Sequence, residues 1–268
     1  MKRMLEPVPS VLIGVAVVAL LLHGPIAQWP GYHEFADRSP LLGVANGADV
    51  LSNLGFALVG LWGLHRLWPA RQRPSVARGW PGYALFLASL VLTALGSGFY
   101  HLDPDNGRLV WDRLPIALAC AGLLSGACAE NRPNVDARRM TALLALGAVL
   151  SVAWWHFTEQ AGQGDLRPYL LLQAAPLVLI PLWQAISGAP RAERAAFGIA
   201  IGLYVAAKAA ELHDREVLGA LGWMSGHTLK HVLAAAGAAV IAGHLAWRVR
   251  AAPSWGGKPL QSSGQAAQ

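Results

Sequence analysis

Runs of roughly twenty apolar residues succeed one another along most of this chain, near 50–68, 80–100, 111–129, 140–158, 168–187, 195–211 and 227–248. A helix that crosses the hydrocarbon core of a bilayer needs about 20 such residues. Inside lipid every backbone N–H and C=O must be bonded within the protein, which leaves helices and closed barrels. Runs of this length, rich in Ala, Leu and Gly, favour helices. Composition agrees: 54% of the 268 residues are hydrophobic and only 13% are charged, against about 25% charged in a soluble domain.

The N-terminus adds one more apolar stretch, Val11 to Leu22, behind Met1-Lys2-Arg3. Basic start and apolar run are also those of a signal peptide, but Gly24-Pro25-Ile26-Ala27 is a poor cleavage site. A retained helix is favoured, giving eight spans, or seven if the segment is removed. The expected fold is an all-α membrane protein, a seven-helix transmembrane bundle with an additional N-terminal transmembrane helix. Its parts are that helix or signal anchor (1–28), an outer loop (29–49), the bundle (50–250) and a disordered tail (251–268) rich in Gly, Ser and Gln.

The loops supply an orientation. With the N-terminus cytoplasmic, inner segments collect fourteen Lys and Arg residues, among them Arg66, Arg71, Arg73, Arg78, Arg132, Arg138, Arg139, Arg248 and Arg250. Outer segments hold five, Arg38, Arg108, Arg113, Arg167 and Arg215, as the positive-inside rule requires. Both termini are therefore expected in the cytoplasm, in a membrane such as a bacterial inner membrane. The +6 net charge reports topology, and nucleic acid is not the expected partner. Cys120 and Cys128, eight residues apart on one segment, lie about 12 Å apart along a helix and cannot bridge.

Against this background three polar groupings fall at the same, outer depth. Ser97 and His101 end one span, Asp112 begins the next, and His227 and His231 begin the last. The spacing of four puts Ser97 and His101 on one helix side, and likewise the two later histidines, so that both imidazoles can hold one ion. Three histidines with a fourth position left for water make the pattern of catalytic zinc. Asp112 would then orient or deprotonate the water, and Ser97 would donate to a developing oxyanion. Each piece alone has a plain reading: HxxxH suits interhelical hydrogen bonds, SxxxH suits helix packing, and Asp112 suits a helix start. Their conjunction at one depth carries the metal site. Of the remaining ionisable residues, His156 and Glu159 are expected near the entrance and Lys208 with Glu211 along one helix. Lys230 is expected at the lipid headgroups, and His65 and His244 as interfacial and packing residues.

At Gly96-Ser97-Gly98-Phe99-Tyr100-His101, Pro104-Asp105-Asn106 and Trp111-Asp112-Arg113-Leu114-Pro115 the chain resembles alkaline ceramidases, especially their bacterial relatives. These belong to a membrane hydrolase superfamily with adiponectin-type receptors and lipid-anchor remodelling proteins. The resemblance spans residues 45–248, with specific matches at Ser97, His101, Asp112, His227 and His231. It implies a seven-helix bundle around zinc on His101, His227 and His231, with Ser97 and Asp112 as catalytic residues. It also implies hydrolysis of a ceramide-like lipid amide to a fatty acid and a long-chain amine. Ala45 to Asn53 is similar to the start of the family's first core helix. Asn46 stands where eukaryotic members carry an acid of their calcium site, and Glu34 and Asp37 only loosely echo its upstream part, which calls Ca2+ into question. The competing expectation is a non-enzymatic, receptor-like lipid-binding protein with structural zinc, and a proton-relay transporter has the least support.

Overall fold

The computed structural model describes residues 5–251; Met1-Lys2-Arg3 and the tail beyond residue 251 lie outside the described residues. Helix α1 spans Val8–His23, and the chain then runs as a loop to the short α2 (Gly47–Ser52) and to α3 (Leu54–Leu67). There follow α4 (Trp80–Leu102), α5 (Asn106–Asn131), α6 (Ala137–Gln160), α7 (Arg167–Ser187), α8 (Arg191–Leu212), the surface helix α9 (Asp214–Leu221) and α10 (Gly226–Ala251). Seven segments, Gly47–Ala70 taken as one and then α4, α5, α6, α7, α8 and α10, are long and apolar enough to cross a membrane. Helix α1 is equally apolar, but its 16 residues reach only about 24 Å, short of a core about 30 Å thick. Large apolar side chains such as Leu58, Leu95, Phe157, Val178 and Val205 are exposed around the bundle. That surface suits lipid, and the chain is a multi-pass integral membrane protein.

Local chemistry sets the helix ends. The Asp105 side chain accepts from Arg108 N at 2.8 Å and opens α5, and Asp136 accepts from Arg138 N and Arg139 N, the second and third backbone N–H groups of α6. Helix α7 begins at Arg167-Pro168 and stops at Gly188, whose φ of +76° is left-handed. At the end opposite the histidines, arginines bond carbonyls in the last turns of two helices. Arg78 reaches Ala129 O and Arg132 O, and Arg73 donates to Val249 O at 2.8 Å. Arg248 meets both Glu130 oxygens at 2.8 Å, a bidentate pair among buried neighbours. These basic residues therefore bind helix ends.

Helices α4 and α5 form the most extensive pair in the bundle, and glycine makes it so. A Cβ on Gly82 would meet Gly126 N at 2.3 Å, and one on Gly122 would meet Phe86 N at 2.5 Å. This is the small-residue contact that lets membrane helices approach backbone to backbone. The seam continues to the end of the bundle that carries His101. Pro115 has no N–H to give the carbonyl of Trp111, four residues back. That carbonyl faces Gly96, where a Cβ would lie 1.9 Å from it. Ser97 and Asp112 are the next residue on each helix, so the close approach sets them together.

A side chain at Gly96 should therefore separate the two helices where the polar residues gather. Gly96→Val is expected to cost about 1–3 kcal/mol as an overpacked contact, read as a lower thermal unfolding temperature in detergent. Gly147→Ala, on α6 with nothing within 4 Å of its Cβ position, should be tolerated.

Candidate metal centre

His101 closes α4, and His227 and His231 occupy the first turns of α10; all three are buried. Their ring centroids lie 4.7, 4.9 and 5.1 Å apart, and one ligand atom from each falls within 4.8 Å of the others. The Nε2 atoms of His101 and His227 are 3.2 Å apart. Two nitrogens at about 2.0–2.1 Å from one tetrahedral zinc would be separated by roughly 3.3 Å. The donor set therefore fits a metal ion.

The third imidazole is oriented from outside the triad. The Ser52 hydroxyl donates to Asp49 O at 3.0 Å, which uses its one proton, so its oxygen accepts from His231 Nδ1–H at 2.8 Å. That leaves the His231 Nε2 lone pair for an ion, the arrangement in which a ligand histidine donates its other nitrogen to a neighbouring oxygen. The Asp49 carboxylate accepts from Thr228 Oγ1 at 2.6 Å and ties the same short helix, α2, to α10. Asp214 accepts from His227 N at 2.7 Å with one oxygen and from Ala36 N at 2.8 Å with the other. Gly226 lets α10 approach α8 there, since its Cβ would sit 2.0 Å from Ala210 O.

The loop between α1 and α2 closes the centre from the end of the bundle. The Phe35 ring lies 4.3 Å from His227 and 4.8 Å from His101, centroid to centroid. His33 bridges Tyr100 Oη and Asn106 Oδ1, each at 2.9 Å, and Asn46 Nδ2 donates to His101 O at 2.8 Å. Outside the spans, Asp165 fastens α1 to the bundle. Burial alone would push its carboxyl up, but hydrogen bonds from Arg167, the Trp154 indole and Ile26 N hold it well below the usual carboxylate range.

Ser97 and Asp112 are buried side-chain neighbours. With His231 they form the polar head of a cavity that encloses about 1190 Å3 of empty space, part of it outside the bundle. Its walls are apolar, with Phe86, Leu90, Ile116, Ile180, Phe197 and Ile241 among them. From Ser97 to Phe86 it descends eleven residues of α4, about 16 Å. All five residues expected from the sequence thus meet at one place.

Lys230 differs from its expected position at the headgroups. It points inward, with Nζ 2.8 Å from Glu211 Oε1 and 3.0 Å from His227 Nε2. Its place at i+3 from His227 puts it on the ligand face of the helix, a signal present in the sequence. Lys208 and Glu211 pair along α8 at 2.8 Å, as expected. His156 and Glu159 do not line the cavity; Glu159 accepts from Asn106 at 3.2 Å and His156 meets Gln160 at 3.0 Å. His244 stacks on Trp247. Of the residues considered for calcium, Glu34 pairs with Arg215 at 3.8 Å, while Asp37 accepts from Ser39 N. Comparison with protein-family models, curated proteins and solved structures finds no match.

Removing the oxygen that orients His231 should loosen the ion without removing a ligand. Ser52→Ala is expected to weaken zinc affinity about 10–100-fold, measured by competition with a chelator of known affinity. Unchanged affinity would mean that the Ser52 contact plays no part in ligation.

Proposed function

We propose that this protein is an intramembrane zinc-dependent hydrolase that cleaves the amide bond of a ceramide-like lipid, releasing a fatty acid and a long-chain amine. The observation that carries the reading is the three-histidine group, one member of which, His231, lines a long, largely apolar cavity together with Ser97 and Asp112. A zinc ion held by His101, His227 and His231 would supply a Lewis acid for the amide carbonyl and a water whose pKa is lowered to about 7. Asp112, in the same cavity head, is the proton carrier: its carboxylate takes the proton of the attacking water and returns it to the leaving amine. The Ser97 hydroxyl donates to the oxygen that gains charge as the carbonyl is attacked. Apolar walls below receive the acyl chain, and each buried CH2 contributes about 0.8 kcal/mol. Phe35 keeps bulk water from the far side of the imidazoles, so the electrostatic contacts act in a drier medium. The bias of basic loops orients the centre toward the outer side, with both termini in the cytoplasm.

This assignment of roles makes Asp112 separable from the metal. Asp112→Asn is expected to lower turnover of a long-chain ceramide by about 10²–10⁴-fold while zinc content stays at the wild-type level. Product fatty acid, quantified by mass spectrometry after incubation with a panel of lipid amides, reads the first; elemental analysis reads the second. Zinc-loaded wild type that cleaves no amide in the panel would contradict the hydrolase reading and favour a lipid-binding protein.

A further inference from the structure

Glu211 sits between two ammonium groups, although one would neutralise it. Lys208 Nζ and Lys230 Nζ each lie 2.8 Å from a different Glu211 oxygen. Both lysines line the cavity head together with Ser97, Asp112 and His231. An ion pair three residues apart on one helix contributes little by itself, and Lys230 already pairs with Glu211, so neutralising Glu211 does not account for Lys208. The formal charges around the centre are three positive (Lys208, Lys230, Arg113) and four negative (Asp49, Asp112, Glu211, Asp214). A divalent ion on the histidines would raise the sum from −1 to +1. Unbalanced charge within a membrane-spanning bundle is expensive, and an anionic group entering with the lipid would offset part of it.

The donors are free to accept such a group. An ammonium carries three N–H donors. Lys208 donates to Glu211 alone among the described contacts, and its side chain is 44% accessible. Lys230 places its nitrogen 3.0 Å from a nitrogen of the histidine centre. An anion held by these lysines therefore lies next to whatever occupies that centre.

We infer that Lys208 and Lys230, braced by Glu211, form a carboxylate-binding subsite beside the histidine centre, and that the lipid amide taken there is an N-acyl amino acid. This rests on the lipid-amide reading above and narrows its substrate class. In an N-acyl amino acid the carboxylate carbon is two bonds from the amide nitrogen, within about 4 Å of the carbonyl carbon. Such a molecule spans the step from centre to lysines while its acyl chain fills the apolar cavity. A single carboxylate also matches the one ammonium that Glu211 leaves uncompensated. A phosphate monoester carries about −1.5 to −2 charge, and no arginine fork lines the cavity.

The test is a binding comparison on the full chain in detergent, with N-palmitoylglycine, its neutral counterpart N-palmitoylethanolamine, and hexadecyl phosphate. Titrations are made on zinc-loaded and on chelator-treated protein. The subsite predicts that wild type binds N-palmitoylglycine at least tenfold tighter than the neutral amide in both states. Lys208→Met should abolish that preference, and Lys208→Arg should keep it, which separates loss of charge from misfolding. Equal binding of acid and neutral amide by wild type, or a preference that survives Lys208→Met, overturns the proposal. Tighter binding of hexadecyl phosphate overturns the carboxylate assignment. Turnover of the same two amides reports on the hydrolase reading separately: a retained binding preference without cleavage supports the subsite and contradicts the hydrolase.

Discussion

The Nε2 atoms of His101 and His227 lie 3.2 Å apart although 126 residues separate them in the chain. Imidazoles that close, buried together with a third from His231, are held by the contacts around them and not by any carboxylate between the rings. The surrounding structure is arranged for that convergence. Helix α2 supplies Ser52 and Asp49 to one imidazole and to the helix that bears it. Asp214 fixes the first turn of α10, and Phe35 covers two of the rings from the loop side. Side chains bonded to backbone groups and to one another do this positioning, in keeping with a membrane, where each buried polar group must find a partner.

The same constraint explains the α4–α5 seam. Proline at 115 strips one carbonyl of its helical partner, and glycine at 96 removes the side chain that would keep a neighbour away from it. The consequence is local: Ser97 and Asp112 come side by side at the head of a cavity whose walls below are largely apolar. At the opposite end of the bundle the arginines bind helix carbonyls and Glu130. The charged groups thus gather toward the two ends, and the largely apolar cavity between them is suited to a hydrocarbon chain.

Much of this is legible in the residues. Apolar run length gives the seven spans, and the i, i+4 spacings at 97/101 and 227/231 give the polar face of each helix. Alternation of sides then puts Asp112 at the same depth. Lys230 was legible too, since three residues from His227 is the ligand face, yet a basic residue near a span end reads first as a headgroup contact. Ser52, Asp214 and Phe35 carry no such periodic signal. Their roles depend on a loop folding back over the bundle and on a carboxylate or hydroxyl meeting a partner more than a hundred residues away. The basic loop residues read from the sequence only as charge, and charge counting is blind to the helix ends that Arg73 and Arg78 bind. Run length also makes α1 resemble the other spans until its 16 helical residues are set against the bilayer.

The central claim is that three imidazoles from two distant helices hold one metal ion. The most direct measurement is the zinc content per chain of purified protein, compared with a variant carrying His101→Ala, His227→Ala and His231→Ala together. The account predicts one zinc per wild-type chain, removed by chelation and restored on adding zinc, and none in the variant. Wild type without stoichiometric zinc, or a correctly assembled variant that retains it, would contradict the account.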